Sequence, residues 1–533
     1  MESTSVKAAA LKKTEDQVST VLVHKTQLLR LKNWLCSPLL RLPTETIVHI
    51  LSYIMEAVEH PSVWRPVFST CYRIHTIMCT TTELWRKANF QLDRTAHLAF
   101  ARSMGNLQEI IVDFQGWDDW QEGWIQNALD FCRESLVLRG HSLRTVDLSG
   151  FPSDMVHWSW IFERSLPRLH RLKIHFFPPE HRWTGYSSLS HPVALQLPTD
   201  LPLQVLDLFN ATLPWSSNLF IGLRELYVGF KDCDAFVEIS GDELLGILDA
   251  SPRLERLSLV DLMTPLIPAI NLPQFTPTRV VQLPNLTFLR LDNFIQSIGY
   301  ILAHVNIPAI SFFEIRTQLA FWEIEWSLNV LFPDDRLPNR LFPNPPVFEI
   351  WPSSGEGIYD SLMVNIGSAK MQFDFDVQEI EPSCTAMMTY IHPLVPSSVT
   401  TLRLDHSRLD EGEWVEFFSS HPEVQSIECS ASAWDPVSES LWGALSPAGP
   451  GVVPLCPKLK SISVFKNQGS MPLSDCLRNR KNAGFGLKHL KLWGAYGELV
   501  EEFSPLVEEL QVLTKPVKPV KKARLVSTNR LDV

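Results

Sequence analysis

An apolar triplet with the spacing Leu-x-x-Leu-x-Leu recurs along this chain of 533 residues and constrains its fold more than any other feature. The last two apolar residues of a triplet are two positions apart, so they face the same side of a β-strand. One strand cannot bury its own apolar face, and the strands must therefore stack around a shared core. The triplets begin at Leu107, Leu143, Leu169, Leu203, Leu223, Leu254, Leu286, Ile310, Val399, Val424, Leu459 and Leu487.

The spacing of the triplets is irregular but persistent. Successive first members are 20 to 36 residues apart, except for one step of 89 residues between Ile310 and Val399. Leucine-rich repeats have lengths of roughly 20 to 29 residues. We therefore predict an α/β repeat, an irregular leucine-rich-repeat solenoid over residues 91–512, with return helices at residues 242–248 and 412–418. A conventional α/β domain with buried parallel strands is the alternative.

The long step holds two further patterns. Phe348-Glu349-Ile350 and the segment from Met371 to Phe375 alternate apolar and polar residues, which predicts two strands that could be worn repeats. Prolines are dense just before the first of them, so a Pro-rich insertion is predicted at about residues 332–347.

A different pattern occupies the segment from Leu42 to Trp85. Pro43 suits the first turn of a helix, where its missing N–H would lack a partner in any case. The apolar stripe of this helix consists of Ile47, Ile50, Leu51 and Ile54. The stripe predicts packing against a second helical stretch, which ends at Leu84-Trp85.

The order Leu-Pro-x-Glu-x-Ile-x-x-Ile-Leu-x-x-Ile, then a Cys, then Leu-Trp resembles an F-box, a module that docks on a Skp-type adaptor of a cullin-RING ubiquitin ligase. The match covers under a tenth of the chain. It departs from the common pattern at Ile74, where F-boxes often carry Trp, and residues 56–65 lengthen the first connection between helices. An ordinary amphipathic hairpin of a helical domain is the alternative.

An F-box followed by irregular leucine-rich repeats is similar to the F-box/leucine-rich-repeat receptors expanded in mushroom-forming fungi. The resemblance implies a small all-α F-box over residues 36–90 and a role as substrate receptor of an SCF-type E3 ubiquitin ligase. The residues that would form or support the adaptor-binding surface are Leu42, Pro43, Ile47, Ile50, Leu51, Ile54, Val67, Cys71, Leu84 and Trp85. A scaffold without a ligase role is the alternative.

The position between the last two triplet residues, and the one after them, should point away from the core and toward a target. Along the chain these positions carry both signs of charge and several aromatic rings, which is typical of a surface that recognises proteins. The predicted target-binding face is Lys173, Phe209, Tyr227, Arg290, Arg403, Phe465 and Trp493.

Composition and the ends of the chain narrow the classes of function. The net charge of −12 argues against a general binder of nucleic acid or anionic membranes. No apolar run long enough to cross a bilayer and no Cys-x-x-Cys pair is present, which favours an intracellular protein, cytoplasmic or nuclear. Residues 1–35 are predicted to be a helical or flexible extension, without a heptad that holds for three repeats, and residues 513–533 a disordered basic tail.

Motifs of the common enzyme classes are missing from the sequence. It contains no His-Glu-x-x-His, no Gly-x-x-x-x-Gly-Lys-Ser/Thr, no Gly-x-Gly-x-x-Gly and no Gly-x-Ser-x-Gly. We therefore expect no catalytic residue, no cofactor and no metal ligand, and expect the partners to be the adaptor and a protein substrate.

Overall fold

The architecture comes from a computed structural model. It describes residues 2–57, 71–89, 102–103, 106–113, 140–150, 166–177, 192–231, 239–262, 279–308, 311–319, 347–355, 358–366, 369–375, 395, 398–405, 410–430, 439–447, 449, 452–465, 470–493 and 497–513.

The helices in these ranges are α1 Glu2–Cys36, α2 Thr44–Ala57, α3 Tyr72–Thr80, α4 Gly241–Asp249, α5 Ile295–His304, α6 Glu411–Ser420, α7 Glu439–Leu445, α8 Ser470–Asn482 and α9 Gly497–Phe503. Short 3-10 helices occur at Leu39–Arg41, Thr82–Trp85, Gly140–Ser142, Asn218–Phe220 and Ser504–Leu506.

The strands are β1 Lys87–Asn89, β2 Glu109–Asp113, β3 Thr145–Gly150, β4 Arg171–Phe176, β5 Val193–Ala194, β6 Val205–Phe209, β7 Ala211–Thr212, β8 Glu225–Gly229, β9 Arg256–Val260, β10 Val281–Gln282, β11 Phe288–Asp292, β12 Val305–Asn306, β13 Phe312–Leu319, β14 Val347–Gly355, β15 Ile358–Ile366, β16 Ala369–Phe375, β17 Thr401–Asp405, β18 Ser426–Ser430, β19 Ser461–Phe465, β20 Leu487–Trp493 and β21 Val507–Leu513.

The chain divides into two compact units, Met1–Leu219 and Phe220–Val533. In the first unit β1, β2, β3, β4 and β6 pair in that order, and every pairing is parallel. The register aligns the triplets, so that Val146 pairs with Leu172 and Leu172 pairs with Leu206. These side chains are fully buried, which places the apolar core on one side of the sheet.

The second unit contains a longer sheet. Strands β8, β9, β11 and β13 pair in parallel, and β17, β18, β19, β20 and β21 do the same. Between the two sets the order is β13, β16, β15, β14, β17, in which β15 is antiparallel to both of its neighbours. Strands β14 and β16, on either side of β15, therefore run in the same direction as the rest of this sheet.

Both predicted return helices are present, and their ends explain why. Ser240 caps α4 and Asp410 caps α6, each through a capping box with a Glu three residues later. Helices α6, α7 and α8 then pack in succession. Their buried side chains include Trp414 and Trp442, which are among the largest fully buried groups of the described residues.

The predicted fold class is wrong, although the strands predicted from the triplets exist. The structure has a large, mainly parallel sheet with helices, an α/β arrangement, instead of a small all-α F-box followed by a leucine-rich-repeat solenoid. Strand β1 lies inside the range predicted to be all helical and pairs with β2, so the helices before it continue into a sheet. The two segments interpreted as worn repeats, β14 and β16, belong to an antiparallel arrangement with the unpredicted β15.

Two other predictions fall outside the described residues. Most of the predicted Pro-rich insertion at residues 332–347 and nearly all of the predicted tail at residues 513–533 are not described. Within the described ranges, no helix combines the length and apolar character needed to cross a membrane.

A buried arginine fixes α8 to the chain before β19. The guanidinium of Arg480 donates from Nη1 to the carbonyl oxygens of Leu445 and Leu455, at 3.1 Å each, and from Nη2 to that of Cys456 at 3.0 Å. The Arg480 side chain is fully buried. Just beyond it Gly484, with φ +87°, ends the helix in a left-handed turn in which Phe485 N donates to Arg480 O.

We expect Arg480→Met to lower the free energy of unfolding by roughly 3 kcal/mol, because three buried carbonyl oxygens lose their donor. Urea denaturation followed by circular dichroism measures the change. Arg478→Met is the matched control, since Arg478 lies two residues away on α8 and is exposed. Equal stability of the two variants would contradict this role of Arg480.

Candidate interaction surfaces

Helix α2 and the segment after it form the first candidate surface. Ile47 and Leu51 of α2 are 1% and 3% exposed and pack inward, as do Leu84 and Trp85 of the following 3-10 helix. These predicted adaptor-binding residues therefore support the surface from behind and are not available to a partner.

The start of α2 is held by contacts from α3. Arg73 donates from its guanidinium to the carbonyl oxygens of Leu40 and, at 2.9 Å, Leu42. Cys71 caps α3, because Ile74 N donates to Cys71 Sγ at 3.4 Å. Cys71 thus has a local role as a helix cap, and its side chain is only partly exposed.

A row of apolar side chains remains accessible along one side of α2. Pro43 is exposed, and Leu42, Ile50 and Ile54 are half-buried. Residues 43, 50 and 54 lie on one side of the helix at about 100° per residue. Tyr53, which is 71% exposed, lies beside this row and was not among the adaptor-binding residues predicted from the sequence. The sequence contained a signal for Tyr53, because this aromatic residue stands between Ile50 and Ile54 in the predicted helix.

Two further positions of this segment are Val67, a predicted adaptor-binding residue, and Ile74, where the sequence departs from the common F-box pattern. Val67 lies outside the described residues. Ile74, at the position where F-boxes often carry Trp, is 2% exposed and packs inward together with Ile77 and Met78. The position is therefore filled by a core side chain.

The polar face of the sheet in the first unit carries two cross-strand contacts. Lys173 on β4 reaches Asp147 on β3, with Nζ 3.4 Å from Oδ2, and both side chains are partly exposed. Phe209 on β6 packs its ring against His175 and Phe177, with centroids 5.6 and 6.1 Å apart. The two predicted target-binding residues of this unit are thus already engaged by neighbours but retain some exposure.

A buried pair of polar side chains lies beside Phe209. His175 Nε2 is 2.8 Å from Asp207 Oδ1, and both residues are nearly fully buried. Ser149 pairs in register with His175, but no hydrogen bond joins their side chains among the described residues. The set lacks the nucleophile-to-base contact of a Ser-His-Asp triad and acts as a cross-strand polar link.

In the second unit Arg290 belongs to a cluster of four charges on β11 and β13. Arg290 Nε is 3.7 Å from Glu314 Oε2, and Arg290 Nη2 is 3.8 Å from Asp292 Oδ2. Arg316 Nη1 is 3.7 Å from the same Asp292 oxygen. Two guanidiniums and two carboxylates balance one another, so this cluster does not attract one sign of charge.

The last predicted target-binding residues differ in accessibility. Arg403 donates from Nε to Glu428 Oε2 at 2.7 Å while remaining partly exposed, and Trp493 donates from Nε1 to Ser463 Oγ at 3.1 Å. Tyr227 is only 3% exposed, so its ring is not available as an anchor. Phe465 pairs in register with Trp493, and its side chain is outside the description.

The predicted basic residues therefore each contact a carboxylate on a neighbouring strand. The acidic partners of the predicted basic residues are Asp147, Asp292, Glu314 and Glu428, and the outward positions of the triplets that predicted the basic residues also contained them. Among the described residues no group of three or more His, Cys, Asp or Glu side chains is arranged to hold a metal ion.

Three buried thiols are strongly perturbed titratable groups among the described residues. Burial raises the pKa of Cys429, Cys456 and Cys476 to about 12. Glu428 adds to the effect at Cys429, whereas the Arg480 charge opposes it at the other two thiols. A thiol with a raised pKa is a poor nucleophile, because little of it is ionised at neutral pH. We therefore assign these three buried cysteines to the packing of the core.

No known family model matches this chain, and no curated protein resembles it closely enough to count as a match. The assignment of a function therefore depends on the surfaces described above and on the motifs of the sequence.

We expect iodoacetamide at pH 9 to label Cys71 of the folded protein readily and Cys429, Cys456 and Cys476 hardly at all. A buried thiol with a pKa of about 12 is ionised to only about one part in a thousand at this pH. The ordinary pKa is 9.0 in the unfolded chain, so their contribution to stability is complete below pH 9 and is lost as the pH rises toward 12. Mass spectrometry of the labelled peptides measures each rate, and equal rates for Cys71 and Cys456 would contradict the prediction.

Proposed function

We propose that this protein is the substrate receptor of an SCF-type E3 ubiquitin ligase. The segment Leu42–Trp85 docks on a Skp-type adaptor, and the polar face of the sheet binds a protein target. Docking on the adaptor brings the target to a cullin-RING ligase in the cytoplasm, the nucleus or both.

The observation that carries the proposal is the division of the apolar side chains in this segment. Ile47, Leu51 and Trp85 face inward, whereas Pro43, Ile50 and Ile54 form an accessible row on one side of α2. Full burial of an aliphatic side chain contributes roughly 1.5 to 3 kcal/mol before the cost of association is subtracted. Together with Tyr53, the row supplies the apolar part of the contact with the adaptor.

The polar face of the sheet supports a protein as the target. In each unit the charges of this face are paired across strands, as in Lys173 with Asp147 of the first unit and Arg403 with Glu428 of the second. A groove for nucleic acid requires a basic excess, whereas the whole chain has a net charge of −12. Partly exposed rings such as Trp493 and Phe209 supply the anchors common in protein interfaces.

The mechanism is proximity. The receptor forms and breaks no covalent bond; it holds the target near a ubiquitin-charged enzyme, so that the transfer becomes effectively intramolecular. The charge pairs of the polar face determine which target is bound, since mismatched charges at an interface cost affinity.

The test measures binding of the full chain to a purified Skp-type adaptor by isothermal titration calorimetry. We expect Ile50→Asp combined with Ile54→Asp to weaken binding at least about 100-fold, because two carboxylates would be buried without partners. Both positions are half-buried in the free protein, so the variant should fold, and circular dichroism checks this.

Ser52→Asp is the matched control, because Ser52 is half-buried like Ile50 and Ile54 but lies roughly 180° around α2 from the accessible row. It should bind as the unchanged protein does. A folded, unchanged chain that does not bind the adaptor would overturn the proposal in favour of a scaffold without a ligase role.

A further inference from the structure

Helix α1 carries an apolar stripe that faces solvent. The α1 stripe consists of Val18, Val21, Leu22, Lys25, Leu28, Leu29, Lys32 and Leu35. Its six apolar side chains are each more than half exposed. At about 100° per residue these positions cover roughly 140° of the helix surface over about five turns.

A contact between α1 and α3 lies on the opposite side of the helix from the stripe. The guanidinium of Arg30 stacks over the ring of Tyr72 on α3, with Cζ 3.6 Å from the ring centroid. Residue 30 lies roughly 150° around the helix from the centre of the stripe. The exposed stripe therefore lies on the side of α1 that faces away from this cation–π contact.

The two lysines of the α1 stripe decide what can cover it. Lys25 and Lys32 are seven residues apart and occupy the centre of the stripe, in the a positions of a heptad whose d positions are Val21, Leu28 and Leu35. Residues 17–36 contain no carboxylate. No acidic side chain of this part of the helix can therefore neutralise the two ammonium groups.

A second copy of this helix does not fit the lysines. In a parallel pair Lys25 would face Lys25 and Lys32 would face Lys32, so like charges would meet in the seam. In an antiparallel pair the same lysines would face apolar side chains. A membrane surface fits no better, because the centre of the stripe enters the acyl region most deeply and would carry both charges with it.

We propose that the α1 stripe binds an amphipathic helix of another protein that places carboxylates seven residues apart between apolar side chains. The apolar residues supply the buried area, and the two Lys–carboxylate pairs determine the register and exclude self-association. This surface is separate from the accessible row on α2, so the inference goes beyond docking on the adaptor.

A charge-swapped copy of the protein serves as the probe for this partner chemistry. The Lys25→Glu/Lys32→Glu variant of the full chain places carboxylates seven residues apart between the same apolar side chains. We expect the unchanged chain alone and the variant alone to have the monomer mass of 60.7 kDa in light scattering. An equimolar mixture should contain the dimer at concentrations on the order of 100 μM, since pairing over about five turns is weak.

Two valines provide the matched control. Val21 is in the stripe and 66% exposed, whereas Val23 is on the far side and 53% exposed. Val21→Asp in both copies should abolish the mixed dimer, and Val23→Asp should leave it unchanged. Neither substitution disturbs a buried side chain, so loss of folding does not enter the comparison.

Three results would overturn the proposal. A mixture that remains monomeric would show that the stripe is not a pairing surface. A dimer of the unchanged chain that Val21→Asp dissociates would identify a second copy as the occupant. Sedimentation of the unchanged chain with phosphatidylserine vesicles, lost on Val21→Asp, would identify a membrane surface.

Discussion

The parallel pairing of successive strands is the interaction on which the rest of this structure depends. A strand such as β4 buries Leu172 and Ile174 only because β3 and β6 present matching residues in register on both sides. The backbone hydrogen bonds set that register, and the register in turn decides which side chains reach the opposite face. The polar links between Lys173 and Asp147 and between His175 and Asp207 are consequences of this alignment.

The exposed face of the sheet carries charge without a field of one sign. In the second unit the two arginines and two carboxylates on β11 and β13 lie within 3.8 Å of one another in pairs, and Arg403 has its own partner in Glu428. A target that binds there must exchange these pairs for its own, at a cost in desolvation. Such a surface favours selectivity over affinity for a protein that binds there.

Much of the secondary structure could be predicted from the sequence because it is local. The triplets located the strands, and Ser240 with Glu243 marks the start of α4 by a capping signal. The arrangement of the strands could not be predicted in the same way. The alternation in β14 and β16 gives their conformation but not the direction of the strand between them, which depends on pairing across the sheet. For the same reason the spacing of apolar residues placed Ile47 and Ile50 in one stripe, although only the packing of α3 and the 3-10 helix shows which of them is buried.

The antiparallel strand β15 has a consequence for how such a sheet can grow. Each antiparallel pairing reverses the direction of the chain, and the two pairings of β15 cancel, so that β14 and β17 are again parallel. With one reversal alone, β17 to β21 would run antiparallel to β8, β9, β11 and β13, and the loops that lead into them would lie at the opposite edge of the sheet. An insertion that adds an even number of antiparallel pairings to this sheet therefore preserves the direction of the strands beyond it, whereas an odd number reverses them.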